Sequence, residues 1–204
     1  MKKILPFLLL VLLLSGCTVV RIDTESIDNT VNVVLSKPNK LYNRIGKGYK
    51  YYVPRGVNYI DTDELNEKLY SNGNYYYLYV DAISYFYKKD VDYKVNKKAY
   101  YSKAIDKNGK KGYLEINKIG KDKYFIEFLY NYAKIEVVAP KAEINTIILN
   151  SSYILSTIKF NNNVVKLMLD DEYFINKEEK YDVFSTKKQS NYFLEYVEKE
   201  EKNK

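Results

Sequence analysis

The chain of 204 residues has no histidine, no tryptophan and one cysteine. Without histidine there is no Ser-His-Asp triad, no Cys-His pair and no imidazole ligand for a metal. One cysteine excludes an internal disulfide and any Cys-rich zinc or iron–sulfur site. The only strongly apolar run, Ile4–Leu14, is interrupted by Pro6 and is far shorter than the roughly 20 residues a membrane-spanning helix needs. Apolar residues at 46% and charged residues at 29% nevertheless make a globular balance. The length suits one domain with short extras, able to bury roughly 70% of its unfolded surface.

The composition is skewed instead toward Lys, Asn, Tyr and Ile, which supply 91 of the 204 residues. All four have A/T-rich codons, so part of the formal charge of +7 reflects genome composition. The same bias points to a Gram-positive-type envelope.

The first seventeen residues have an order of their own. Lys2 and Lys3 precede the apolar run, and Leu14-Ser15-Gly16-Cys17 follows it. A charged start, a short apolar core and a small-residue site make a signal peptide. The last four residues resemble the lipobox of bacterial lipoproteins. That resemblance implies cleavage after Gly16 and a diacylglyceryl group on Cys17. Residues 1–16 are then removed, and the mature chain keeps 188 residues with a formal charge of +5. Two acyl chains suffice for stable anchoring, since each buried CH₂ contributes about 0.8 kcal/mol. Thr18 is not the Asp that resemblance to inner-membrane-retained lipoproteins would demand, so in a two-membrane cell the resemblance implies export to the outer membrane. The expected address is the extracytoplasmic face of the cell membrane. Nucleotides and nucleic acid are then not expected as partners. A mildly basic surface suits lipid head groups or wall polymers.

The mature chain reads as α+β, with a tether carrying a first strand in 17–43, one domain in 44–200 and a charged tail in 201–204. Val31–Leu35 reads as that first strand, Arg44–Gly48 as a loop, and Tyr49–Val53 as a strand ended by Pro54. Asp61 with Glu64 three residues on has the form of a capping box, so a short helix is expected near 61–71, ended by Asn72-Gly73. Tyr75–Lys88 reads as one long strand. Asn108-Gly109 marks a hairpin between Tyr100–Ile105 and Gly112–Ile119. Gly120–Asp122 is a second turn, and Lys123–Ala139 completes an antiparallel meander. Ile144, Ile147, Ile148, Ser151, Leu155 and Ile158 recur at helical steps, which predicts a long helix over 140–158 behind Pro140. Asn161–Asn163 reads as a turn, Val164–Leu169 as a strand or docking segment, Tyr181–Phe184 as a strand, and 189–200 as a terminal helix. The helix end Ile154–Phe160 resembles that of Mog1/PsbP-like sandwiches, over a span of about Tyr49–Phe160. The LolA-like lipoprotein fold, a curved sheet holding helices, is the competing resemblance.

Motifs with chemistry are few. Ser156–Lys159 and Ser185–Lys188 match the S-x-x-K pattern of penicillin-binding proteins, but no Lys-Ser/Thr-Gly triplet accompanies them. Asp61, Asp63 and Glu64, and Asp170, Asp171 and Glu172, supply carboxylates for a hydrolase, or for helix capping and a solvated turn. Gly46-Lys47-Gly48 lacks the spacing of a phosphate-binding loop. No cofactor or metal is expected, and no catalytic residue is assigned. The 24 tyrosines stand out. Tyr75, Tyr77, Tyr79, Asp81, Tyr85 and Tyr87 would line one face of the long strand as a ligand surface. The expected function is a non-enzymatic envelope module binding a protein partner. Alternatives are a wall-glycan binder using the Tyr face, a LolA-like carrier of apolar ligands, and a carboxylate hydrolase.

Overall fold

The computed structural model describes residues 26–170. The first helix, α1 (Ile27–Ser36), starts at Ser26, whose Oγ accepts from the Asn29 backbone N–H at 3.3 Å. This corrects the strand expected at Val31–Leu35. The β-branched run favours a strand locally, but Thr30, Val31, Val34 and Leu35 fall on one helical face and are buried. Packing against a second helix overrides the propensity.

Strands β1 (Arg44–Gly46) and β2 (Tyr49–Tyr51) form a tight hairpin. The next segment overturns the helix expected near 61–71. It is a hairpin of β3 (Asn58–Asp63) and β4 (Asn66–Ser71). Leu65 and Leu69 are both buried, as a helix would also require, but so are Glu67 and Ser71 between and after them. That is period two, not 3.6. Glu64 has φ 58°, so it turns the hairpin instead of closing a capping box. Asn72 and Gly73 have φ 47° and 78° and form a second hairpin turn into β5 (Asn74–Val80).

The long strand expected to Lys88 stops at Val80. Asp81 Oδ1 accepts from the Ser84 N–H at 2.7 Å and caps the short helix α2 (Ala82–Phe86). After an irregular stretch come β6 (Tyr101–Lys107), β7 (Lys110–Lys118), β8 (Tyr124–Tyr130) and β9 (Ala133–Ala139), as the turn signals predict. The predicted long helix is a 3₁₀ turn at Lys141–Glu143 followed by α3 (Ile144–Thr157). Strand β10 (Lys159–Phe160) pairs with β2. Helix α4 (Asn162–Asp170) replaces the turn and the strand or docking segment read at 161–169. The strand at Tyr181–Phe184 and the helix at 189–200 lie outside the described residues.

The architecture is α+β. Seven antiparallel strands run in the order β3-β4-β5-β9-β8-β7-β6, with a second sheet β1-β2-β10. Two meanders thus join where β5 meets β9. Tyr76, Leu78, Leu114, Ile116, Ile126, Phe128, Ile135 and Val137 point to one face and meet Ile144, Ile147, Ile148 and Leu155 of α3 and Val31 and Leu35 of α1 in one continuous core. All seven residues of β8 are buried, so this strand is covered on both faces.

Candidate functional site

The opposite face of the large sheet holds an unusual polar row. In register across adjacent strands lie Lys68, Tyr77, Glu136, Glu127, Glu115 and Ser102. Three glutamates are therefore direct cross-strand neighbours, an arrangement that destabilises a sheet unless offset. Lys134, in the next row, supplies the offset. Its ammonium lies 2.9 Å from Glu136 Oε1 and 3.7 Å from Glu127 Oε1. Glu127 and Glu136 are 0% exposed and Lys134 is 2% exposed, so this is a sealed ionic cluster. Glu115 is satisfied differently. It accepts from Asn96 Nδ2 at 2.9 Å, from Asn117 Nδ2 at 2.8 Å and from the Tyr93 hydroxyl.

The irregular segment 87–100 crosses this face as a strap over Tyr113, Leu129 and Glu115. Tyr93 stacks on Tyr113 with centroids 4.3 Å apart and planes 8° from parallel. Its hydroxyl also meets Ser102 Oγ at 2.6 Å, while Ser102 Oγ accepts from the Asn96 N–H at 2.8 Å. Val91 packs on Tyr113 and Leu129, and Lys111 pairs with Asp90 at 2.8 Å. Burial, then the charges of Glu127, Glu136 and Glu115, push the Tyr113 hydroxyl far above its ordinary value. Burial and the bond to Glu115 do the same for Tyr93. Both hydroxyls therefore stay protonated at physiological pH; that of Tyr93 donates to Glu115, and that of Tyr113 is buried without a hydrogen-bond partner.

A second cluster centres on a fourth buried carboxylate, Glu67, which faces the helix side. It accepts from Tyr49 Oη at 2.7 Å and from Tyr51 Oη, and Arg44 Nε lies 3.4 Å away. The Arg44 guanidinium also sits 3.5 Å over the Tyr59 ring. This cluster bolts the small sheet to β4. Near the start of α1 a surface cleft of about 330 Å³ is lined by Asp28, Tyr100, Tyr101, Lys141 and Ile144.

The expected tyrosine surface divides in two. Tyr75, Tyr77 and Tyr79 share the outer face of β5, Tyr75 exposed and the others half-buried. The Lys68 ammonium lies 4.5 Å over the Tyr75 ring and 5.6 Å over that of Tyr77, and Tyr70 meets Tyr75 at 5.1 Å. Asp81, Tyr85 and Tyr87 do not join them, because the chain turns into α2. Asp81 is a helix cap, and burial raises its carboxyl against the hydrogen bonds from Ser84. Tyr85 stacks on Phe160 at 3.9 Å and donates to Asn162 Oδ1 at 2.5 Å. Tyr87 is exposed and meets Phe86 edge-on. Lys68 and Tyr70 complete the aromatic ledge and went unrecognised in the sequence. The alternation over 66–71 was the available signal.

The S-x-x-K pattern at Ser156 does not assemble. Ser156 Oγ donates to the Tyr153 carbonyl at 3.0 Å in the last turn of α3, and Lys159 lies in β10. Asp61 and Asp63 are exposed on the edge strand β3. The loop expected at Arg44–Gly48 is instead strand β1 through Gly46, which pairs with Tyr49, and a two-residue turn at Lys47-Gly48. Cys17, Ser185–Lys188, Asp171, Glu172 and the side chain of Asp170 lie outside the described residues.

Residues 1–18 match the family model for the prokaryotic membrane lipoprotein lipid attachment site. No curated protein matches the chain. The chain carries a lipoprotein attachment signal and is a membrane-anchored lipoprotein. Among the described residues no helix is long and apolar enough to cross a membrane.

Proposed function

We propose that this lipoprotein is a non-enzymatic binding module of the cell envelope. Acylated Cys17 holds it on the extracytoplasmic face, and the aromatic ledge of Tyr70, Tyr75 and Tyr77 with Lys68 receives a protein partner. The observation that carries the reading is the attachment signal over residues 1–18. The burial of the carboxylates supports it. Glu127 and Glu136 share one lysine and have no exposed surface, so no substrate reaches them. Tyrosine ledges are enriched in interface hot spots because each ring offers a large apolar face and a polar tip. The carrier alternative has little support, since Tyr76, Leu114, Phe128 and Ile147 fill the sheet face under the helices. A wall glycan is the second reading for the same ledge. The Tyr70–Tyr75 pair, its rings tilted 55° to one another, with the Lys68 ammonium over Tyr75, presents two aromatic faces beside a hydrogen-bond donor.

The test is recovery of partners from solubilised membranes, comparing wild type, Cys17→Ala and Tyr75→Ala/Tyr77→Ala. One envelope protein recovered in stoichiometric amount, and lost in the tyrosine variant, supports the protein-binding reading. Recovery of acylated protein alone sinks it. Retention of the wild-type domain on insoluble wall material, abolished in the tyrosine variant, would move the assignment to glycan.

A further inference from the structure

The outward face of the small sheet carries a row that neither core uses. Ile45, Lys50 and Lys159 lie directly opposite one another across β1, β2 and β10. Tyr49 and Tyr51, flanking Lys50, point inward and are buried, so this row points out. Ile45 is 75% exposed, and Leu41 and Tyr42 nearby are 56% and 53% exposed. The Lys50 ammonium lies 3.9 Å over the Tyr42 ring.

The lysine row continues onto the large sheet. Lys110 is close enough to Lys159 that, with burial as the larger cause, its ammonium is held below its ordinary value. Lys110 in turn faces Lys107 across the Asn108-Gly109 turn. Asn108 Nδ2 donates to the Leu35 carbonyl at 2.6 Å, which sets this turn against the end of α1, where Lys37 follows. Two directly opposed lysine pairs, Lys50–Lys159 and Lys107–Lys110, cost the sheet stability. Fold stability alone gives no reason to place them together. The interior sharpens the imbalance. Residues 26–170 contain 23 basic and 15 acidic side chains, and four acids, Glu67, Glu115, Glu127 and Glu136, are buried against one base, Lys134. The surface is thus more basic than the composition states.

Exposed Leu, Ile and Tyr bordered by lysines is the pattern of a segment that lies in a membrane interface. The tether allows it. Nine peptide steps separate Cys17 from Ser26, a reach of at most about 30 Å. Helix α1 then runs about 15 Å from the tether end to the lysine end. We propose that the surface formed by Leu41, Tyr42, Ile45, Lys50, Lys110 and Lys159 docks on the anionic phospholipid of the membrane that holds the anchor. It is a second, protein-borne membrane contact that fixes how the domain stands, and it rests on the lipoprotein reading. A soluble or wall-borne polyanion would engage the lysines but gain nothing from Leu41 and Ile45.

The mature chain Cys17–Lys204 with Cys17→Ser takes no lipid, so vesicle binding reports this surface alone. It is expected to sediment with mixed phosphatidylglycerol–phosphatidylcholine vesicles and not with phosphatidylcholine alone. Each lysine near such a surface contributes a factor of about five, so Lys50→Gln/Lys110→Gln/Lys159→Gln should weaken binding about 100-fold. Ile45→Ser should weaken it by roughly ten-fold through lost apolar burial. Absence of binding to the anionic vesicles, or binding that the lysine variant leaves intact, overturns the proposal. So does full competition by inorganic polyphosphate together with an Ile45→Ser variant that binds normally. Acylation of wild type is read separately by fatty-acid labelling, so failure of the anchor and failure of the surface are distinct results.

Discussion

The two faces of the large sheet are held by different physics. Under α1 and α3, side chains such as Leu78, Ile126, Phe128 and Ile135 meet a continuous apolar layer. On the opposite face, the residues alternating with them are Glu127, Lys134, Glu136, Tyr113 and Glu115. These two sets of residues are equally dry. The first gains free energy roughly in proportion to apolar area and tolerates conservative changes. The second is stable only while each buried charge keeps its partner, because a buried pair is costly to form and costlier to break. The comparison teaches that burial alone does not mark a core as forgiving. One face can be trimmed, while the other fails when one group is removed.

The largest expected effect comes from the lysine that two glutamates share. Lys134→Met leaves Glu127 and Glu136 buried side by side without their cation, and should cost about 3–5 kcal/mol of unfolding free energy in a urea titration. The triple variant Lys134→Met/Glu127→Leu/Glu136→Leu should recover most of the loss. By contrast Ile135→Val, the adjacent residue on the helix face, should cost about 0.5–1.5 kcal/mol. If the lysine change costs no more than the isoleucine change, the two faces do not differ and the comparison fails.

A smaller effect is expected where the strap is pinned. Tyr93→Phe keeps the stacking on Tyr113 but removes the hydroxyl that Glu115 accepts from. The expected loss is about 1–2 kcal/mol, with faster amide exchange confined to residues 87–100. Uniformly faster exchange across both meanders would show that the strap is part of the global unit instead of a separate cover.

Alkaline pH tests the burial of both faces together, without mutation. The folded tyrosines at both carboxylate clusters titrate above their unfolded value near 10. This is true of Tyr49 and Tyr51 at Glu67, and of Tyr93 and Tyr113 above Glu115. Tyr76 and Tyr130, buried in the apolar core, are pushed up to about 12. A folded pKa raised above the unfolded one means the folded state holds more protons at high pH. Stability is then fully present below pH 10 and falls as pH rises beyond it. The tyrosinate absorbance should appear in two stages: exposed rings first, then buried rings in one step coincident with loss of the folded circular-dichroism signal. Smooth titration of all tyrosines near pH 10 with the fold intact would show that these hydroxyls are not buried.

How much of this was legible depends on where the determinants lie. The second meander and α3 were readable because their signals are local: Asn108-Gly109, the Gly120 turn and the helical spacing from Ile144 to Ile158. Helix α1 was not, because Thr30, Val31, Val33 and Val34 favour a strand until α3 is there to receive them. The β3–β4 hairpin was missed because residues four apart share a face in both a helix and a strand. Only the buried Glu67 between Leu65 and Leu69 tells the two apart. The glutamate row stayed hidden for a related reason. Glu127 falls in an apolar alternation with Phe125 and Leu129, which reads as a surface charge unless a cover exists. The cover, residues 87–100, has no periodicity of its own to announce it. Its register on the sheet depends on Tyr93 finding Glu115, 22 positions away.

The smallest effect tests what pins that cover. The strap makes one prominent ion pair, Asp90 with Lys111, at 2.8 Å from both carboxylate oxygens. The pair is exposed on both sides, and the hydrogen bond from Lys111 is the main reason the Asp90 carboxyl sits below its ordinary range. Solvent and salt screen such a pair, and holding two mobile side chains in one geometry offsets most of its gain. Asp90→Asn should therefore leave the urea midpoint unchanged within error, at low salt and at high salt alike, and leave amide exchange in 87–100 as in wild type. Tyr93→Phe, a change of one buried oxygen atom, should exceed it clearly. If instead Asp90→Asn loosens the strap and Tyr93→Phe does not, the strap is held from its rim by surface charge. The buried row beneath would then be a consequence of closure, and the contrast between the two faces would need to be redrawn.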